Sequence, residues 1–197
     1  MYDAVVAGGS ISGLLAAREI ARNDHSVLVL EEGFEVGSPE HCGGLVSRNA
    51  LKELGIEPSP KTFDDKIKCA KIFSPKGKEI TINSEKQKII VINRRELDKQ
   101  AARQAKNNGA KISVKTSFQE KISNGVKTSN GNIECKFFVD CRGVSRLANQ
   151  DREGILLTAQ YEVYADWIKR GQVEVYFDQN KYPEFFAWII PSGEGVG

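Results

Sequence analysis

The apolar positions fall into runs of changing period, and the changes divide the chain. Residues 4–7 form a short continuous apolar run, the pattern of a strand buried on both faces. Ile11, Leu14, Leu15 and Ile20 follow at helical spacing, and residues 27–30 form a second apolar run that ends on an acid, Glu31. Strand, helix and strand in that order predict a βαβ unit. Residues 32–44 carry Gly and Pro with no period and predict a long loop. Loops of that length in compact domains usually serve a site. Ser47 then caps a short predicted helix with Ala50, Leu51 and Leu54 as its apolar stripe and Gly55 as its stop. Pro58 and Pro60 mark a joint.

From Lys66 the period drops to two. Residues 69–73 and 79–82 predict strands around the turn Pro75-Lys-Gly-Lys, and 88–92 predict another. Residues 94–108 return to helical spacing, with Leu97, Ala101, Ala102 and Ala105 on one face. Residues 111–114 resume the βαβ alternation. Segments 118–122, 126–128 and 133–137, joined by Ser-Asn-Gly turns, predict a small antiparallel meander. Residues 156–165, 172–177 and 185–190 read as long alternating strands of a second, antiparallel sheet. The expected fold class is α/β, a Rossmann-like βαβ lobe interleaved with an antiparallel β-rich lobe. The nucleotide lobe is expected over 1–60 and 85–150, and the second, substrate lobe over 61–84 and 151–197.

Composition narrows the function classes. A chain of 197 residues can build one sizeable core, or one domain with a smaller insertion. A net charge of +2 is too small to argue for nucleic acid or an anionic membrane surface. The Lys and Arg residues between 86 and 111 read as the solvated face of a helix and its flanks. No apolar run approaches the ~18–20 residues of a membrane span, and no signal peptide opens the chain, so a cytoplasmic location is expected. The four cysteines lack CxxC or Cys/His ligand spacing and there are two histidines, which argues against a metal site and for reduced thiols.

The chemistry begins at Gly8-Gly-Ser-Ile-Ser-Gly13, which lies between a predicted strand and a predicted helix, with Glu31 about 20 residues on. This is the context in which a glycine-rich turn places a pyrophosphate on a helix N-terminus and a ribose hydroxyl against an acid. Gly8 permits the tight turn, and Gly13 lets the helix pack closely on the strands. Ser10 stands where the middle glycine of GxGxxG usually is. An acid at 31 favours a free ribose 2′-hydroxyl, as in FAD or NAD. Gly8, Gly9, Ser10, Ser12, Gly13, Glu31 and Glu32 are the expected contacts. A second candidate is Cys42, between His41 and Gly43-Gly44, where neighbouring N–H groups suit a thiol to exchange a proton; it reads equally as a small buried thiol in a loop. A third is the last aromatic strand. Alternation places Phe186, Trp188 and Ile190 on one face, as an apolar lining or as plain core.

The order of these features resembles the FAD-binding flavoprotein oxidoreductases of the class that includes p-hydroxybenzoate hydroxylase. Within that class it resembles the geranylgeranyl reductases, especially the archaeal enzymes that saturate isoprenoid chains of membrane lipids. Four stretches carry the resemblance: Gly8 to Gly13 with Glu31; Pro39-Glu-His-Cys-Gly-Gly-Leu-Val-Ser; Arg94-Arg-Glu-Leu-Asp; and Pro183-Glu-Phe-Phe-Ala-Trp-Ile-Ile-Pro, similar to the reductases' PxxYxWxFP. In the last, Phe186 replaces the tyrosine, so no acid role carries to that position. Asp140-Cys-Arg-Gly-Val-Ser is a loose relative of the class's second dinucleotide motif, from which Gly143 alone is carried over.

The resemblance implies FAD as cofactor, with Cys42, Gly43, Gly44, Arg94 and Gly143 joining its contacts. It implies Cys42 as a catalytic residue, and Phe186, Trp188 and Ile190 against an isoprenoid lipid substrate. An external electron donor, NAD(P)H or a ferredoxin, and peripheral association with the membrane follow in the same way, with no nucleic acid and no metal. The class continues beyond Pro191-Ser-Gly-Glu-Gly-Val-Gly into a Gly-Asp segment, so a C-terminally truncated chain is expected. Two other readings are a flavin monooxygenase acting on an aromatic substrate and a truncated, non-catalytic nucleotide-binding relic.

Overall fold

A computed structural model describes residues 1–40, 42–83, 88–143, 155–192 and 196–197. The chain divides into two compact units, each built from two stretches: Met1–Glu40 with Arg95–Glu153, and His41–Arg94 with Gly154–Gly197. The fold is α/β, a Rossmann-like βαβ lobe interleaved with a β-rich lobe. Residues 41–60 and 85–94, expected with the nucleotide lobe, fall in the second unit. Strands from both stretches build a small sheet there.

The first unit is organised on β1 (Tyr2–Ala7), α1 (Ile11–Arg22) and β2 (Val27–Leu30). β1 and β2 pair in parallel, with Ala4 opposite Val27 and Ala7 opposite Leu30. Their runs are continuous because both faces are covered. Ala4, Val6, Val27 and Val29 pack with Leu14, Ala17 and Ala21 of α1 and Ala101, Ala102 and Ala105 of the second long helix (Arg94–Asn107). Val5, Leu28 and Leu30 pack on the other side with Val126, Phe118, Ile133 and Phe138. Those residues come from a meander, Phe118–Ile122, Gly125–Thr128 and Gly131–Asp140, whose last strand runs longer than its sequence pattern suggests. Its first half pairs antiparallel within the meander, and its second half pairs parallel with β1. Lys111–Ser113 completes a sheet of six strands by pairing in parallel with β2.

The second unit holds two smaller sheets. Leu45–Ser47, Ile89–Ile92 and Phe63–Lys66 form one, entirely antiparallel. Ala187–Ile189, Gln172–Tyr176, Cys69–Phe73 and Glu79–Asn83 form the other in that spatial order, antiparallel but for the ladder between Cys69–Phe73 and Gln172–Tyr176. In chain order these strands are β3 (Leu45–Ser47), β4 (Phe63–Lys66), β5 (Cys69–Phe73), β6 (Glu79–Asn83) and β7 (Ile89–Ile92). After the first unit's β8 (Lys111–Ser113), β9 (Phe118–Ile122), β10 (Gly125–Thr128) and β11 (Gly131–Asp140) come β12 (Gln172–Tyr176) and β13 (Ala187–Ile189). Among the described residues the helices are α1, α2 (Arg48–Glu53) and α3 (Arg94–Asn107).

Three expectations need correction. Ser47 does cap α2, its side chain accepting from the Ala50 amide at 3.4 Å, but only Leu51 of the helix is buried; Ala50 and Leu54 are exposed. Residues 156–165 form no strand. Among the described residues this stretch contributes only an isolated bridge, Tyr164 with Val196. A strand-like pattern becomes a strand only where a ladder partner satisfies its backbone. The last strand is confined to Ala187–Ile189, and the preceding Phe185 and Phe186 stack on each other with centroids 4.3 Å apart, not on opposite faces.

Candidate functional site

The N-terminal turn is built by close backbone approach. Gly8 sits at φ +108°, and a Cβ there would lie 2.3 Å from the Cys141 carbonyl oxygen. At Gly13 a Cβ would lie 2.0 Å from the Gly8 carbonyl oxygen, so any side chain would push α1 off the strand it packs on. Glu31, at the end of β2, accepts the Gly9 amide on Oε2 at 2.9 Å and the Gly33 amide on Oε1 at 2.7 Å. It ties the glycine turn to the start of the following loop. Each carboxylate oxygen has a further lone pair, so a ribose hydroxyl could still donate to it. Glu32 is exposed.

Ser10 occupies the N-cap of α1 with extended backbone, φ −91° and ψ −178°, yet its side chain caps nothing. Its Oγ donates to Asp98 Oδ2 at 3.1 Å. The first turn of α1 contains no acid. N–H groups at such a helix start, aligned with the helix dipole, suit an anion. Ser12 turns the other way and hydrogen-bonds the Cys141 thiol. Burial, the nearby Asp140 carboxylate opposing the Ser12 contact, pushes the Cys141 thiol above its ordinary range. Burial does the same at Cys135 on β11.

At the end of β11, Arg142 grips Asp140 with Nε at 2.9 Å and a terminal nitrogen at 2.8 Å, and lies over the Phe118 ring at 4.6 Å. The Arg142 guanidinium is thus absorbed by the strand's own carboxylate. Gly143 takes φ +62° and is exposed, with open space about its Cα. Residues 144 and 145 of that motif lie outside the described residues, as does His41.

In the second unit the structure brings together two candidates that sequence spacing leaves apart. A Cβ on Gly43 would lie 2.7 Å from Ile190 Cδ1 and 3.8 Å from Trp188 Nε1, so the Cys42–Gly44 loop packs beside the aromatic strand. Gly44 adopts φ +71° over the Ile92 carbonyl, and its own carbonyl accepts the Ile92 amide at 2.9 Å. That bond staples the loop to β7. The Gly44 amide reaches Cys42 Sγ at 3.5 Å, and the thiol is half-buried. Phe185, Phe186 and Trp188 form one aromatic cluster, both phenylalanine rings meeting the indole edge-on at 6.1 Å. Arg94, half-buried, opens α3 and belongs to the second unit, whereas the rest of the helix belongs to the first.

Asp98 enters the sequence reading only as the end of Arg94-Arg-Glu-Leu-Asp, with no role, although a signal for one is present. It is a carboxylate at i, i+3, i+4 and i+7 with Ala101, Ala102 and Ala105, on the buried face of α3. Among the described residues no group of three His, Cys, Asp or Glu side chains could hold a metal ion, and no helix is long and apolar enough to cross a membrane.

No family model matches the chain. It is 30% identical to digeranylgeranylglycerophospholipid reductase 2 of Methanothermobacter thermautotrophicus, over 98% of this chain and 55% of the relative. Among solved structures, a geranylgeranyl bacteriochlorophyll reductase-like protein of Thermoplasma acidophilum superposes with a TM-score of 0.83 at 26% identity, covering 99% of this chain and 54% of the other. A myxobacterial chondrochloren halogenase, a variant of the FAD-dependent halogenases, reaches 0.70 at 14% identity over 99% of this chain and 51% of its own, which speaks to the fold alone. The chain spans about half the length of the relatives it matches, and over nearly all of its own length it is similar to proteins named as geranylgeranyl or digeranylgeranylglycerophospholipid reductases.

Proposed function

We propose that this chain is the FAD-holding and substrate-lining portion of a flavin-dependent oxidoreductase that reduces C=C bonds of geranylgeranyl chains on isoprenoid lipids. The observation that carries the reading is the likeness, over 98% of the chain, to digeranylgeranylglycerophospholipid reductases. The residues present suit FAD. Gly8, Gly9, Ser10, Ser12 and Gly13 form a turn with no room for a Cβ at Gly8 or Gly13, below helix amides left uncapped by Ser10, which fits a pyrophosphate. Glu31 presents a carboxylate for a ribose, with Glu32 beside it. Gly43, Gly44, Arg94 and Gly143 complete the set proposed to hold the cofactor.

FAD, when bound, supplies the hydride chemistry. The chain's residues supply orientation, water exclusion and a proton. Trp188, Ile190 and Phe186 form an apolar, aromatic surface beside the Cys42 loop, suited to an isoprenoid chain. Cys42, which accepts the Gly44 amide at 3.5 Å, is the proposed group to exchange a proton with a substrate lying on that surface. Electrons come from an external donor, NAD(P)H or a ferredoxin, and the enzyme works in the cytoplasm, at the membrane surface where its lipid lies.

The purified chain is expected to take up FAD and, with dithionite, to add hydrogen to a geranylgeranyl lipid, read as a mass gain of the product. Cys42→Ala is expected to lower turnover by about 10²-fold, the scale of a lost proton-transfer group, with flavin content unchanged. A chain that stays colourless with excess FAD would overturn the reading.

A further inference from the structure

We infer that Asp98 is a positioning residue for the glycine turn: it holds the Ser10 hydroxyl off the helix that Ser10 begins, and so keeps the first-turn amides of α1 open to a pyrophosphate. This rests on the FAD reading above. A serine at an N-cap ordinarily turns its oxygen onto the amide two or three residues on, here Ser12 or Gly13. Ser10 has the extended backbone of a capping residue and makes no such bond. Its hydroxyl is instead committed to Asp98 Oδ2, reached across 88 residues of sequence.

Asp98 is itself fixed, 6% exposed on the face of α3 that carries Ala101, Ala102 and Ala105. A glycine in the middle of this motif has no hydroxyl and cannot cap its own helix. A serine there competes with the ligand for the same amides unless something holds it away. Ser10 and Asp98 together therefore do what the missing glycine does alone. This accounts for both oddities at once, a serine in a glycine position and a buried carboxylate on an alanine face.

The size of the effect follows from the competing interaction. An N-cap bond is worth about 1 kcal/mol, so freeing the Ser10 hydroxyl should weaken anion binding about five-fold. The experiment is titration calorimetry of the full chain with ADP and with FAD, for the wild type, Asp98→Ala, Asp98→Asn and the double variant Asp98→Ala/Ser10→Gly. Asp98→Ala is expected to bind each ligand about five-fold more weakly. The double variant is expected to recover to within about two-fold of wild type, because no hydroxyl remains to compete. Asp98→Asn keeps an acceptor and is expected to bind as the wild type does.

General loosening of the turn would not be rescued by removing a second hydrogen-bonding group, so the rescue separates positioning from bulk stability. Amide exchange in the unliganded proteins supplies a readout independent of ligand. In Asp98→Ala the Ser12 or Gly13 amide should slow as Ser10 caps it. If Asp98→Ala does not fold, Asp98→Leu, which fills the space without an acceptor, carries the same expectation. Unchanged affinity in the variant without an acceptor, or no recovery in the double variant, overturns the inference while leaving the FAD reading intact. A wild type that binds neither ADP nor FAD overturns both.

Discussion

The two units solve the problem of holding a site in different ways. In the first, every residue of β2 and Ala4 to Ala7 of β1 is buried, because helices cover one face of the parallel pair and the meander covers the other. The glycine turn grows from the end of that covered strand, and main-chain contacts at Gly8 and Gly13, with the Glu31 carboxylate against Gly9, define its shape. In the second unit's four-stranded sheet the burial is partial: β5 and β13 are half-buried throughout, β6 is exposed throughout, and Val173 is the one buried residue on β12. There the candidate site is made by side chains, Trp188 and Ile190 against the Gly43 loop. On the proposed function, a polar, charged ligand would be met by backbone donors, and a flexible apolar one by a surface of rings and aliphatic ends.

Substitutions graded along this difference would test it. Leu14→Ala should cost about 3 kcal/mol and loosen the turn, since Leu14 is wholly buried between α1 and the sheet just past Gly13. Urea unfolding followed by amide exchange at Gly8 to Gly13 reads both effects. Val173→Ala, in the smaller cluster with Ile67 and Val91, should cost about 1–2 kcal/mol and leave the glycine turn untouched. Ile80→Ala and Ile82→Ala, on the exposed edge strand β6 at 62% and 46% exposure, should stay within about 0.5 kcal/mol of the parent. If an Ile82 substitution cost as much as Leu14→Ala, β6 would have to be covered in solution and the contrast would fail.

The same contrast decides what could be read from the sequence. β1, α1, β2 and α3 were legible because a fully covered strand is a continuous apolar run and a half-covered helix keeps its period. β4, Phe-Asp-Asp-Lys, carries no apolar run at all and is a strand only because β7 pairs with it. Residues 156–165 carry the alternation and lack the ladder, the opposite case. Pattern reports burial, and pairing is a separate, non-local condition. At the site, the glycine spacing was legible because backbone approach demands particular residues at particular intervals. The occupation of Glu31 by the Gly9 amide was not, nor was the Ser10–Asp98 bond, because partners 22 and 88 residues apart leave no periodic trace. The meeting of the Cys42 loop with Trp188 and Ile190 is of the same kind, since nothing local links residue 43 to residue 190.

The smallest expected effects lie at opposite ends of the pH scale, one in each unit. On β1, Lys136 and Ser26 hold the Asp3 carboxyl well below its usual range by hydrogen bonds and charge. A lowered folded-state pKa contributes stability above the unfolded value of about 3.9, and that contribution is lost as pH falls through the folded value. Asp3→Asn should therefore flatten the acid side of the first unit's stability profile: its cost is seen at neutral pH, small because the pair is exposed, and vanishes as pH falls through the folded value. On β12, burial first and then the hydrogen bond to Glu174 push the Tyr176 phenol up to about 12. The sign reverses. Stability is fully present below the unfolded value of about 10 and is lost as pH rises from there through 12. Ultraviolet titration of the phenols should show one late step that disappears in Tyr176→Phe. In Glu174→Gln the step should move only part of the way down, because burial remains when the negative acceptor is removed. A Tyr176 that titrated near the unfolded value of about 10 would mean that β12 opens to water near its Tyr176 end, and the second unit's sheet would be looser than its partial burial implies.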